Sequence, residues 1–267
     1  MKALLLTFDI EQFIRPVELA LDYDEDHLFE VGREGLEHIL QLLKEVDSKA
    51  TFFVTCEFAM RNKPLIKQLV KQGHELALHA YQHTDRYNLM NPEEALEKLR
   101  TAKKELEETF HVVIRGFRSP QLHFVDKEIL KKIGITYDSS YHPTWIPGHY
   151  LHFFGTRKIF KENGITIVPI SVAAGLKLPF SWLWFRLFGL TYAKICTKLA
   201  LFRTGYINIY FHPWDFTDLQ PYKNEIGGWY AKHTGSWTIK NMKKYINWCK
   251  SQGLQAMTLS TYLKHGS

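Results

Sequence analysis

Gly73-His74-Glu75-Leu76-Ala77-Leu78-His79-Ala80-Tyr81-Gln82-His83 reads as a helix stop, a short strand and a pair of imidazoles. Gly73 closes a helical run, and residues 75–78 are apolar enough for a buried strand. His79 and His83 are four residues apart, about one helical turn. A single turn would therefore bring both rings to one side, where they could share a metal. Neutral imidazole suits zinc and similar ions. By itself the H-x-x-x-H spacing fits two unrelated loop histidines equally well. The metalloprotease pattern is excluded, because Ala80 stands where that pattern needs Glu. A third ligand and a base elsewhere in the chain have to decide.

Outward from this stretch, the chain alternates. Residues 2–8 form an apolar run of strand length that ends in Asp9-Ile10-Glu11. Residues 12–32 show no clear period and carry Asp22, Asp24, Glu25 and Asp26, which predicts a long solvated loop. Leu36, Ile39, Leu40, Leu43 and Val46 recur at helical spacing, residues 50–56 read as a second strand, and Pro64 opens a helix to Gln72. Beyond the histidines, Asn91-Pro92-Glu93-Glu94 is a capped helix start. That helix should run to about residue 110. Residues 112–117, 135–140, 165–170, 206–211 and 255–259 read as strands, with helices over 126–133 and 238–251. Strands alternating with helices over one length, without a linker or repeat, predict a single α/β domain over residues 1–267, a β/α barrel. In such folds the C-terminal strand ends carry the chemistry. Asp9, Glu11, His79, His83, Arg118, Asp138 and His212 all fall there.

Hydrophobic residues make up 45% and charged ones 23%, ordinary values for a globular chain that exclude disorder. The formal charge of +6 favours anionic partners, but no run of five basic residues points to nucleic acid, and none is expected. Cys56, Cys196 and Cys249 are odd in number and far apart, as reduced, packed thiols of a cytosolic protein would be. The first apolar run is short and reaches an acid by Asp9, so it reads as a strand and not as a signal peptide. A cytoplasmic location is expected.

Five segments in order resemble the motif set of the polysaccharide deacetylases, the NodB-homology group or carbohydrate esterase family 4. They are Thr7-Phe8-Asp9-Ile10-Glu11, His79-Ala80-Tyr81-Gln82-His83, Gly116-Phe117-Arg118-Ser119-Pro120, Tyr137-Asp138-Ser139-Ser140 and Tyr210-Phe211-His212-Pro213-Trp214. The resemblance implies a distorted (β/α) barrel of about seven strands. It also implies a divalent metal, commonly zinc, and hydrolysis of an N-acyl group, usually acetyl, from an amino sugar. Carried over by position, Asp9 is the general base, His79 and His83 are ligands, Arg118 orients the base and His212 is the general acid. The usual first motif has adjacent aspartates, whereas here Ile10 separates Asp9 from Glu11. The spaced variant makes Glu11 the third ligand; the alternative is a metal held by the two histidines alone. Ala80 replaces the usual Ser or Thr that braces the histidine loop. Two other functions stay open: a catalytically silent glycan-binding member, and a deformylase of a lipid-linked formamido sugar. Asp138 is expected to be structural, and His74, His123, His142 and His149 are expected at the surface or in loops.

Residues 178–203 are unusually apolar and aromatic, an insertion relative to the alternating pattern. Pro179, Arg186, Gly189, Lys194 and Lys198 interrupt them, which excludes a spanning helix. They form either a core helix pair over the barrel or an interfacial anchor on anionic lipid. The second would suit a lipid-linked amino sugar at the inner face of the membrane.

Overall fold

The computed structural model of the protein describes residues 2–146 and 150–265. The first half runs β1 (Ala3–Ile10), α1 (Arg15–Glu18), α2 (Glu25–Glu45), β2 (Thr51–Thr55), α3 (Cys56–Arg61), α4 (Lys63–Lys71), β3 (Glu75–Ala80) and α5 (Pro92–Phe110). It continues through β4 (Gly116–Phe117), α6 (Lys127–Lys132), β5 (Tyr137–Asp138), β6 (Trp145–Ile146), β7 (Tyr150–Leu151), β8 (Phe160–Glu162) and β9 (Ile165–Ile167). The last part is α7 (Trp182–Leu201), β10 (Tyr206–Phe211), α8 (Lys223–Ile226), α9 (Gly228–Ala231), α10 (Ser236–Ser251), β11 (Gln255–Ala256) and α11 (Leu259–His265).

Seven strands follow one another in the order β10-β1-β2-β3-β4-β5-β9, every pair parallel. In this sheet β8 runs antiparallel at the β9 edge and β11 adds a short parallel pairing to β1, while β6 and β7 form a separate antiparallel pair. The sheet curls until its two ends meet. There Ser171 N–H donates to the Asn208 carbonyl at 2.8 Å, and Asn208 N–H to Ser171 Oγ at 2.8 Å. This is the distorted barrel expected from the motifs.

Strand periodicity decides what faces inward. Leu4, Leu6, Phe8 and Ile10 pack in the outer layer with the helices, and Ala3 and Leu5 inside the barrel. Thr7, Asp9 and Glu11 continue the inner row, so Asp-x-Glu spacing puts both acids on one face. In β3, Leu76, Leu78 and Ala80 belong to the outer layer and Ala77 to the inner, which leaves His79 inward. In β10, Ile207, Ile209 and Phe211 face out, while Tyr206, Asn208 and Tyr210 lead inward to His212.

The structure corrects several expectations. The acidic loop over 12–32 is largely helix: α1 lies in it and α2 starts at Glu25. Leu28, Phe29 and Val31 are buried, and Gly32 and Gly35 sit on the same packed face. A Cβ at Gly32 would lie 2.6 Å from the Glu11 carbonyl oxygen, and one at Gly35 1.9 Å from that of Pro213. Those glycines let α2 press against both site-bearing loops, and they hide the apolar period because they carry no side chain. Regular pairing is also shorter than expected in β4, β5 and β9, and the C-terminal strand gives way to α11 at Leu259. His74 and His142 lie in loops, as one alternative held, but are buried, and His149 lies outside the described residues.

The 178–203 stretch contains α7, broken at Gly189, whose φ of 79° is open to glycine and costly for other residues. Phe185, Arg186, Ala193, Cys196, Thr197 and Ala200 are buried under it, with Phe185 edge-on to Phe211 at 5.4 Å. One face of the stretch is therefore core, as the first alternative holds. Among the described residues no helix is long and apolar enough to cross a membrane.

Candidate active site

Three expected ligands converge at the inner ends of β1 and β3. Glu11 Oε2 lies 3.3 Å from His79 Nε2, and Glu11 Oε1 lies 3.4 Å from His83 Nε2. The three donor atoms all lie within 4.8 Å of one another. Ligands bonded at about 2.0–2.2 Å in a tetrahedral site stand about 3.3–3.6 Å apart, the separation of each imidazole nitrogen from its nearer Glu11 oxygen. His79 Nδ1 is 2.7 Å from the Arg118 carbonyl and must donate to it. That hydrogen bond leaves the Nε2 lone pair pointing at a carboxylate oxygen. Glu11 Oε2 is buried and has no hydrogen-bond partner. Two acceptors facing each other in a dry site repel unless a cation or a proton lies between them. Burial acts in the same sense: it pushes Glu11 up to about 7, partly offset by His83 and His212. It also lowers His79, and brings His83 down to about 4. The residues present therefore fit a divalent cation: neutral imidazoles and a carboxylate whose charge is otherwise uncompensated.

Asp9 sits two residues back on the same inner row. Its Oδ1 accepts from Arg118 Nη1 at 2.7 Å, and the same nitrogen donates to Thr7 Oγ1 at 2.9 Å. Arg118 is fully buried; its Nε and Nη2 donate to the Ser139 carbonyl and hydroxyl, and its guanidinium lies 4.3 Å from the Phe53 ring centre. Asp9 is thus clamped from the β4 end. Asp138 stays outside the site, paired with Lys127 at 2.8 Å and accepting from Ser140 N–H at 2.8 Å.

His212 closes the opposite wall. Its ring stacks on Trp214 at 4.4 Å and meets the Trp182 ring edge-on at 4.7 Å. Its backbone N–H donates to Asp215 Oδ2 at 2.9 Å, and its Nδ1 is 3.7 Å from the same oxygen. Asp215 Oδ1 pairs with Arg186 Nε at 2.8 Å, both side chains having no exposed surface. Asp9, Glu11, His79, His83 and His212 share one cavity of about 590 Å³, walled by Trp182, Trp214, Trp229 and Tyr230. Asp215, Arg186 and Trp182 were not foreseen as site residues. The signal available was a lone arginine in an apolar helix, which is costly to bury without a partner.

Residues 2–144 match the family model described as Polysaccharide deacetylase. The chain belongs to the polysaccharide deacetylase family. The chain is 33% identical over 93 residues to the uncharacterized protein YlxY of Bacillus subtilis (strain 168), covering 35% of this chain and 29% of YlxY. It spans less than a third of that relative's length. Among solved structures, a Mycobacterium smegmatis protein assigned to the polysaccharide deacetylases superposes with a TM-score of 0.67 at 17% identity, over 98% of this chain and 89% of that one. A family 4 pseudoenzyme of Bacillus anthracis, BA3943, superposes with a TM-score of 0.56 at 16% identity, over 97% and 64% of the two chains. These likenesses are of fold, the NodB-type barrel.

The deacetylase barrel also accounts for Ala80. The residue is fully buried and packs in the outer layer, so it has no room to brace the histidine loop. Asp85 and Tyr87 do that instead. Tyr87 OH accepts from Tyr81 N–H at 3.0 Å and donates to Asp85 Oδ2 at 2.8 Å, and that oxygen also accepts from Gln82 N–H at 2.9 Å. Lys98 pairs with the other Asp85 oxygen.

Proposed function

We propose that this polysaccharide deacetylase is a metal-dependent hydrolase that removes an N-acyl group, acetyl by the family's pattern, from an amino sugar of a glycan or lipid-linked saccharide. Residues 1–267 act in it as one catalytic domain. The observation that carries the reading is the facing of Glu11 Oε2 and His79 Nε2, two acceptors at 3.3 Å, beside a second imidazole and within one cavity with Asp9 and His212. Two histidines and a glutamate are a zinc donor set with a position left open. A divalent cation held there supplies Lewis acidity to the amide carbonyl and to the attacking water. Asp9, oriented by Arg118, takes the proton from that water. His212, on the opposite wall, gives a proton to the leaving nitrogen, and its stacking on Trp214 with the edge-on contact to Trp182 fixes the direction in which it does so. The aromatic walls offer flat faces to a sugar ring.

The test is metal content of the purified chain by mass spectrometry, then acetate release from N-acetylglucosamine oligomers used as probe. About one zinc per chain is expected, lost in the His79→Ala, His83→Ala double variant. Full occupancy in that variant would sink the ligand assignment. Metal with no acetate or formate released from amino-sugar probes would favour the silent glycan-binding member.

A further inference from the structure

The outer face of α7 takes no part in barrel packing. Ile195, Leu199 and Phe202 succeed one another at helical spacing and are about half exposed, at 55%, 45% and 60%. Across the break at Gly189, Phe188 is 56% exposed and its ring lies 5.0 Å from Tyr192 and 5.9 Å from Trp184. These side chains make one apolar ridge, larger than the scattered exposed residues of an ordinary surface. The charge around it is one-sided. Between Asp138 and Asp215 the chain holds a single carboxylate, Glu162, against eight lysines and arginines. Over the whole sequence the ratio is 28 acids to 34 bases. Three of the eight border the ridge: Lys194 beside the Trp248 ring, Arg203 beside Phe202, and Lys198 one turn from Lys194. The first turn of the helix, Trp182, Leu183 and Trp184, lines the active-site cavity, so the ridge leads up to its mouth.

An aromatic ridge bordered by cations and free of acids complements a layer that is apolar below and anionic at its surface. We infer that the outer face of α7 seats the protein on an anionic lipid membrane, with the ridge at headgroup depth and the cations against lipid phosphates. The cavity mouth then opens beside the bilayer. On the deacylase reading, the amino sugar is delivered from the membrane, carried on a lipid; the docking itself does not depend on that reading.

The experiment is flotation of the full chain with phosphatidylcholine vesicles, with and without phosphatidylglycerol, at low and raised salt. Binding is expected only with phosphatidylglycerol and should weaken as salt rises. Phe188→Ser with Phe202→Ser should lower the partition coefficient by ~10-fold or more, since each removes an apolar side chain from the lipid. Lys194→Gln and Lys198→Gln should each lower it about fivefold. Thermal stability and metal content should stay at wild-type values in all three, because these side chains project from the fold. No flotation at low salt, or equal flotation with neutral vesicles, overturns the docking. A dimer in sedimentation that the Phe substitutions dissociate, without vesicle affinity, assigns the face to a second copy instead. Loss of the metal assignment leaves vesicle binding untouched, and loss of vesicle binding leaves the metal site untouched, so the two failures are separable.

Discussion

Arg186→Met tests whether the aromatic helix holds the His212 wall of the candidate site. The substitution keeps most of the apolar stem and removes the charge. It leaves Asp215, which has no exposed surface, with its Oδ1 unpaired and only the His212 N–H on Oδ2. It also removes the donor that Nη1 gives at 2.7 Å to the carbonyls of both Tyr230 and Lys232. Breaking a buried pair from one side costs about 3–5 kcal/mol. Each carbonyl left without a donor adds about 1 kcal/mol or more. A loss of about 5–7 kcal/mol is therefore expected, a fall in midpoint of roughly 10–25 °C for a chain of this size. Surface pairs such as Arg33–Glu37, 40% and 49% exposed, should cost less than about 1 kcal/mol when broken. Urea unfolding of wild type, Arg186→Met, Asp215→Asn and the double variant measures the coupling. The double variant should be more stable than the sum of the singles implies, by about 2 kcal/mol or more, because it leaves no charge stranded. Additive losses, or an Arg186→Met variant within about 1 kcal/mol of wild type, would refute the link between helix and acid.

Asp9→Asn should abolish acetate release while leaving metal content unchanged, and His212→Ala should lower turnover by roughly 10²–10⁴. Metal lost in Asp9→Asn but kept in Glu11→Gln would reverse the roles of the two acids. Burial pushes the His74 imidazole down to about 4, with Lys49 adding to the effect, and its Nδ1 accepts from Ala50 N–H. Above its ordinary value of 6.5 the ring is neutral in both folded and unfolded chains. Between there and about 4 only the unfolded chain takes up the proton, so stability should fall by about 3 kcal/mol as pH drops through that window. His74→Phe should reduce the acid slope of urea midpoints by that amount across the same range, leaving the share of the other buried histidines; an unchanged slope would assign the acid sensitivity to them alone. Gly35→Ala should destabilise by about 1–3 kcal/mol, although alanine favours helix, because its methyl would collide with the Pro213 carbonyl. A more stable Gly35→Ala variant in urea would show that α2 and the His212 loop are not in contact.

The inward row at the strand ends could be read before any coordinates. Asp9, Glu11 and His79 each stand at the end of a short apolar run, a feature that a single segment displays. What escaped were contacts that hydrophobicity does not write. The face α2 turns to the site is partly glycine, and a residue without a side chain adds nothing to a period even where packing is closest. Arg186 was visible as a charge in an apolar helix, but as an interruption and not as a partner. Its burial implies that an anion exists, since an isolated guanidinium in a dry interior is costly. Nothing local says which. The anion is Asp215, beyond the next strand, because β10 returns alongside β1 and sets the His212 loop under α7. In a barrel the neighbour of a side chain is chosen by strand order. One sequence can therefore announce a buried pair from one end, while the other end becomes legible only when the sheet order is known.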